Sequence, residues 1–257
     1  MKRMIIFLLA AILIFPPFAF GDCGMGPGPG VKSYAVAAGM CPAADATLLC
    51  ETFDTNPGYD NTWTESGADG TSTINPDNTN AGTFYCDTSV HSLKMTRASA
   101  ATLSTFADIT PNTTSVYALF RFKLTSESLT TTKRNIFTIS NDAGTSVATL
   151  ALYKDTNVYF AITHRDIDGN TITTNCDAAG AISTGTWYPI VLSWKHAQAS
   201  NGIYAKINGT TCTPATTSTE DHASYDAARI YFYAFGNNQV YEVDNLKVNT
   251  ASEPSCN

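Results

Sequence analysis

An all-β protein with two antiparallel sheets packed face to face is what this 257-residue sequence predicts. Three observations carry that expectation. From about Leu48 onward, short runs of β-branched and aromatic residues alternate with clusters of Asn, Asp, Gly, Ser and Thr, the spacing of strands and tight turns. In the clearest run, Ser115 to Leu124, the residues Val116, Ala118, Phe120, Phe122 and Leu124 share one face, and Tyr117, Leu119, Arg121 and Lys123 share the other. A period of two assigns the first set to a core and the second to a surface or groove. No window shows a helical stripe with caps.

Taken in order, residues 1–21 have the layout of a cleaved secretory signal. Lys2 and Arg3 precede the apolar run Met4 to Phe15, Pro16 and Pro17 break it, and small residues at Ala19 and Gly21 suit cleavage after Gly21. The apolar run is short for a bilayer span, which takes about 20 residues. Residues 22–47 are rich in Gly, Pro and Ala and read as an N-terminal extension. Residues 48–250 hold the strands: Leu48–Asp54, Ser115–Leu124, Asn135–Ser140, Ser146–Tyr153, Asn157–His164, Thr171–Cys176, Trp187–Lys195, Gly202–Asn208, Arg229–Phe235 and Tyr241–Val248. Asp168-Gly169-Asn170 supplies the turn of a hairpin. In Arg229–Phe235, Ile230, Phe232 and Ala234 alternate with Tyr231, Tyr233 and Phe235. Residues 251–257 form a tail.

Charged residues make up only 14% of the chain and the net charge is −7, which argues against nucleic acid and anionic membrane surfaces as partners. Seven cysteines at long, irregular spacings fit an oxidising compartment better than a zinc site. The expected disulfides are Cys176 with Cys212, Cys50 with Cys86 and Cys23 with Cys41, leaving Cys256 over; sequence alone does not choose among the connectivities. Such a thiol allows a homo-oligomer. The expected location is extracellular, secreted or at the cell surface.

The order of segments resembles the laminin-G-like or concanavalin-A-like jelly-roll superfamily. LLCETFD (Leu48–Asp54) looks like its N-terminal strand. TGTWYPIVLSWKHAQASNGIYAKINGT (Thr184–Thr210) looks like its G-x-W strand and the strand that ends in Asn-Gly. YEVDNLKV (Tyr241–Val248) looks like the closing strand. The resemblance implies a two-sheet antiparallel jelly-roll sandwich and leaves function open, because the fold hosts lectins, adhesion domains, glycoside hydrolases and polysaccharide lyases alike.

Two short motifs resemble catalytic ones in that superfamily. Glu242-Val243-Asp244 is similar to the Glu-x-Asp-x-x-Glu strand of laminarinase-type hydrolases, but Lys247 stands at the second glutamate, and a retaining mechanism needs both carboxylates. Tyr231–Gln239 (YFYAFGNNQ) partly resembles the Tyr-Phe-Lys-Ala-Gly-x-Tyr-Asn-Gln motif of a jelly-roll alginate lyase family. Its lysine and second tyrosine are absent, as are that family's arginine-bearing and Gln-x-His motifs. No catalytic residue is therefore assigned. His91, His164, His196 and His222 are scattered and form no metal-binding pair. Asp166, Asp168 and Asn170 place oxygens at alternate positions around a glycine, so calcium is the one cofactor the sequence suggests, against the plainer use of the segment as a turn. Asp54, Asp60 and Asp244 are weaker candidates.

For ligand binding, Tyr117, Tyr204, Tyr231 and Tyr233 would offer flat rings with hydroxyl handles if one sheet face carries them, and Asn237, Asn238 and Gln239 could bond sugar hydroxyls. The expectation is a secreted non-catalytic module that binds carbohydrate or another extracellular ligand such as a protein. A structural or adhesive surface component is the alternative, and a polysaccharide hydrolase or lyase the third reading.

Overall fold

The computed structural model describes residues 47–51, 53, 62–68, 72–78, 91–98, 102–215, 217, 219, 226–234 and 238–254. Cys23, Cys41, Cys86, Cys256, Asp54, Asp60, Phe235 and Asn237 lie outside them, as do the expected signal and extension apart from Thr47. In chain order the strands are β1 (Thr47–Glu51), β2 (Trp63–Ser66), β3 (Thr73–Asn78), β4 (Ser92–Arg97), β5 (Leu103–Thr113), β6 (Ser115–Ser126), β7 (Arg134–Ser140) and β8 (Ser146–Lys154). They continue as β9 (Val158–Arg165), β10 (Thr171–Asn175), a 3-10 turn (Asp177–Ala179), β11 (Trp187–Lys195), β12 (Ile203–Ile207), β13 (Thr210–Cys212), β14 (Ala227–Ala234) and β15 (Gln239–Asn249).

Two antiparallel sheets result, as the jelly-roll expectation requires. An eight-stranded sheet runs β13-β12-β11-β6-β15-β4-β3, with β1 also paired to β15. A seven-stranded sheet runs β10-β9-β8-β7-β14-β5-β2. The core half of the alternation read from β6 holds, with Val116, Ala118, Phe120, Phe122 and Leu124 all buried, whereas Tyr117 and Lys123 of the outer set are buried too. Between the sheets Phe120 meets Phe137 at 4.9 Å and Phe232 at 5.5 Å, and Phe122 meets Phe160 at 5.6 Å. Each fully buried aromatic side chain contributes on the order of 2–3 kcal/mol relative to exposure, so this cluster is a main cohesive element.

Strands β2, β3, β4, β5 and β13 were not expected. In β5 the core-facing positions are Leu103, Thr105, Ala107 and Ile109, and Pro111 lies inside the strand. Threonine, alanine and proline mute the periodic signal, and β4 buries only Leu93 and Met95 as apolar residues. The Asn208-Gly209 turn joins β12 to β13 with both residues at positive φ, 48° and 80°, which suits a two-residue hairpin.

Cys176 and Cys212 are bonded as expected. Cys176 follows β10 and Cys212 ends β13, the edge strands of the two sheets on the same side, so the bond ties the sandwich shut along that side. Cys50 is also disulfide-bonded, while its expected partner Cys86 lies outside the described residues.

Candidate functional site

Strand alternation gives each sheet an outer face, and the four tyrosines expected to act together divide between them. Tyr117 on β6 pairs across Ser193 of β11 to Tyr204 of β12, on the outer face of the eight-stranded sheet. Tyr231 and Tyr233 lie on β14 in the other sheet. The expectation of one shared face is thus corrected: a period of two within a strand says nothing about which sheet the strand joins. Tyr117 is buried, and the Tyr204 hydroxyl donates to the Glu253 carboxylate. Burial and that carboxylate raise the Tyr204 phenol well above its ordinary range. Gln239 is buried at the start of β15, and Asn238 sits exposed in the preceding turn at φ 58°.

The carboxylates on β15 belong to the eight-stranded sheet. A bulge at Asn245, φ 56°, puts Glu242, Asp244 and Lys247 on one face while Val243, Leu246 and Val248 enter the core. Lys123 Nζ lies 2.6 Å from Glu242, which also accepts from Thr125 Oγ1 at 3.1 Å. Asp244 accepts the Asn245 N–H at 2.8 Å. The motif resembling a hydrolase strand is therefore held in a buried ion pair and a bulge.

In the Asp166–Asn170 segment the Asp166 carboxylate accepts the backbone N–H groups of Asp168 at 3.0 Å and Asn170 at 2.7 Å, and the Asn170 side chain at 3.3 Å. These bonds close the hairpin between β9 and β10. Among the described residues no group of three or more His, Cys, Asp or Glu side chains is arranged to hold a metal ion.

The outer face of the seven-stranded sheet has a different chemistry. A ladder of directly opposed residues crosses it strand by strand: Thr64, Phe106, Tyr231, Thr138, Thr149, Thr163 and Thr173. Thr138 and Thr149 hydroxyls meet at 3.2 Å, and those of Thr163 and Thr173 at 3.0 Å. At the β5–β14 end, Tyr231 and Tyr233 stack at 5.3 Å with planes 9° apart, and Phe106 meets Tyr231 at 5.1 Å. The Arg229 guanidinium lies 5.3 Å over the Phe106 ring, bonds Asp108 at 2.7 Å and hydrogen-bonds Tyr231. Those two partners hold Arg229 in its charged form. Burial, with Tyr231 alongside, pushes the Tyr233 phenol up to about 12, so it remains a proton donor at neutral pH.

At the other end, a cleft of about 360 Å³ is lined by Thr131, Lys133, Tyr153, Asp155, Tyr159, Asn175 and Asp177. Tyr153 and Tyr159 stack at 5.8 Å, and Lys133 Nζ lies 5.3 Å over the Tyr153 ring. The Tyr153 hydroxyl donates to Asp177; burial and that carboxylate raise its phenol far above the ordinary range. The sequence reading missed Phe106 and this cleft. Alternation with Leu150 and Leu152 already puts Tyr153 on an outer face, but no sequence signal brings it next to Tyr159 and Asp177.

No family model and no curated protein matches the chain. Solved structures do. An alginate lyase, Aly36B, aligns with a TM-score of 0.57 at 15% identity over 82% of this chain and 99% of its own. A fungal endo-β-1,4-glucuronan lyase from Trichoderma reesei aligns with 0.51 at 14% over 74% and 94%. An alginate lyase from a Chlorella virus aligns with 0.50 at 12% over 79% and 99%. A variant of the first lyase, with a lysine and a tyrosine replaced by alanine, was solved holding an alginate tetrasaccharide. Likeness at this identity shows the fold, a two-sheet jelly-roll sandwich. The expectation of a non-catalytic module is corrected to this extent: the neighbours named here are polysaccharide lyases, which runs against it.

Proposed function

We propose that this protein is an extracellular polysaccharide-cleaving enzyme of the lyase type. Its substrate is an acidic, uronate-bearing chain laid across the outer face of the seven-stranded sheet, with Tyr231 at the point of cleavage. The observation that carries the reading is the Arg229–Tyr231–Tyr233 row on β14, the strand whose sequence partly resembles an alginate lyase motif. Elimination from a uronate needs a cation beside the carboxylate, a base for the proton on the adjacent carbon, and an acid for the leaving oxygen. Arg229 keeps further N–H donors beyond those used on Asp108 and Tyr231. Tyr231, beside the Arg229 cation, serves as the base that takes the proton; the electron pair forms the carbon–carbon double bond as the glycosidic bond breaks. Tyr233, held protonated, returns a proton to the leaving oxygen. Phe106 and the tyrosine rings give the sugar faces a surface to stack on. The expected secretory signal and the Cys176–Cys212 bond support an oxidising, extracellular setting.

The test is the ultraviolet absorbance of an unsaturated uronate product, followed with alginate and with glucuronan. Tyr231→Phe should lower the rate by at least about 100-fold while leaving thermal unfolding unchanged. Cleavage at the wild-type rate without the Tyr231 hydroxyl, or no unsaturated product from either polymer, removes this reading.

A further inference from the structure

We propose that the cleft between the β8–β10 strands and the segment before β7 is a separate subsite for a neutral, hydroxyl-rich sugar residue. It goes beyond the cleavage reading and does not need Tyr231. The charges decide the ligand class. Lys133 brings one cation against the two carboxylates of Asp155 and Asp177, so the cleft is net negative and repels a uronate carboxylate. Carboxylates accept hydroxyl donors well, and the Asn175 amide both donates and accepts, which matches a ring that carries several hydroxyls. Asp177 is oriented by the Tyr153 hydroxyl, and Lys133 caps one side of the Tyr153 ring. Tyr153 is itself almost fully buried, 6% exposed, so it serves as the fixed wall of the cleft. Tyr159, stacked on it and partly exposed, offers the ring on which a sugar's C–H face can lie.

The position is also held from behind. Asn175 and Asp177 flank Cys176, whose bond to Cys212 ties this point of the chain to the other sheet. Cys176 N–H donates to Phe160 O at 2.9 Å, and Ile182 N–H to Val158 O at 2.8 Å, so the chain entering and leaving the 3-10 turn is pinned to β9. Tyr153 stands four residues along β8 from Thr149, which lies two strands from Tyr231. At the usual strand rise and spacing, that separates the two sites by roughly 17 Å. One glycan could reach both, yet each can be tested alone.

The experiment is calorimetric titration of the oxidised protein with cellotetraose, mannotetraose, xylotetraose and an alginate tetrasaccharide. At least one neutral tetrasaccharide should bind. Tyr159→Ala and Asn175→Ala should each weaken it at least tenfold, and Tyr231→Phe should leave it unchanged. Asn175 is exposed, so its variant keeps the fold and the test stands even where Tyr159→Ala unfolds. Cys176→Ser with Cys212→Ser should weaken the same binding while alginate cleavage persists. No binding of any neutral tetrasaccharide overturns the proposal, as does neutral binding that survives both cleft substitutions. Alginate binding that depends on Tyr159 overturns the charge argument. Loss of lyase activity alone bears on Tyr231 and leaves this subsite standing.

Discussion

Two ion pairs of nearly equal length sit on the two outer faces of the sandwich, and they have different meanings. On the eight-stranded sheet, Lys123 and Glu242 meet at 2.6 Å with their side chains 6% and 1% exposed. On the seven-stranded sheet, Arg229 and Asp108 meet at 2.7 Å, 34% and 61% exposed. Distance is the same; solvent is not. The first pair has lost its hydration, so each partner depends on the other, and Lys123 is further placed 4.6 Å over the Trp187 ring. The second keeps much of its water and can exchange partners at little cost. The eight-stranded face thus ties its charges into its own structure, and the seven-stranded face leaves a cation, stacked rings and a cleft within reach of a ligand.

The largest expected effect breaks the first pair. Lys123→Met takes away the cation 2.6 Å from the buried Glu242 carboxylate, which should cost about 3–5 kcal/mol of stability. Urea unfolding measures it through the midpoint. A loss below about 1 kcal/mol would mean water reaches Glu242, and the contrast between the faces would collapse. Replacing both partners, Lys123→Met with Glu242→Leu, should recover much of the loss, because the uncompensated charge goes as well.

A smaller effect comes from the C-terminal segment on the same face. Glu253 reaches Lys206 Nζ at 2.6 Å and accepts from Tyr204, and Ser115 donates to Thr250 O at 2.6 Å, so residues 250–253 are fastened onto that sheet. Burial raises the Glu253 carboxyl, but the hydrogen bonds from Lys206 and Tyr204 and the Lys206 charge outweigh it and hold it below 4.5. A lowered folded value means the contact stabilises above the unfolded value and fades as pH falls through the folded one. Both side chains are about a third exposed, so solvent screening limits the effect to under about 1 kcal/mol at neutral pH. Glu253→Gln should therefore lower the thermal midpoint slightly at pH 7, and its gap to wild type should shrink as pH falls through the folded value. A gap that does not change on acidification would assign the effect to packing.

The difference between the faces was only half legible in the sequence. The core was readable where Phe120, Phe122, Ile230 and Phe232 alternate with polar or larger outer residues, because burial of one strand face is a local property of pattern. The expected pairing of Cys176 with Cys212 also occurs, although the spacing of the cysteines did not by itself select it. The grouping of outer-face residues was not readable. Tyr117 and Tyr231 have the same alternation and end on opposite sides of the molecule, since sheet membership is fixed by long-range pairing that no window of sequence contains. The bulge at Asn245 was hidden in the same way: it turns Lys247 onto the face of Glu242 and makes a hydrolase-like string part of a buried charge network. β5 escaped because Thr105 and Ala107 fill its core positions, although it carries Phe106 and Asp108.

The smallest effect sharpens the comparison most. Asp108→Asn removes the exposed partner of Arg229 with almost no change of shape. Pairs this exposed contribute about 0–1 kcal/mol, so the unfolding midpoint should stay within error of wild type, in contrast to Lys123→Met. Function should respond where stability does not. Without the Asp108 charge, Arg229 has one competitor fewer and keeps its place over Phe106 and beside Tyr231. An acidic tetrasaccharide should then bind more tightly, with the gain shrinking as salt rises, because the contact is screened over a Debye length of about 10 Å at 0.1 M ionic strength. Titration with alginate tetrasaccharide at low and high salt checks this. Weaker binding would show that Asp108 positions Arg229 for the ligand instead of competing with it, and a large loss of stability would show that the two faces are built alike.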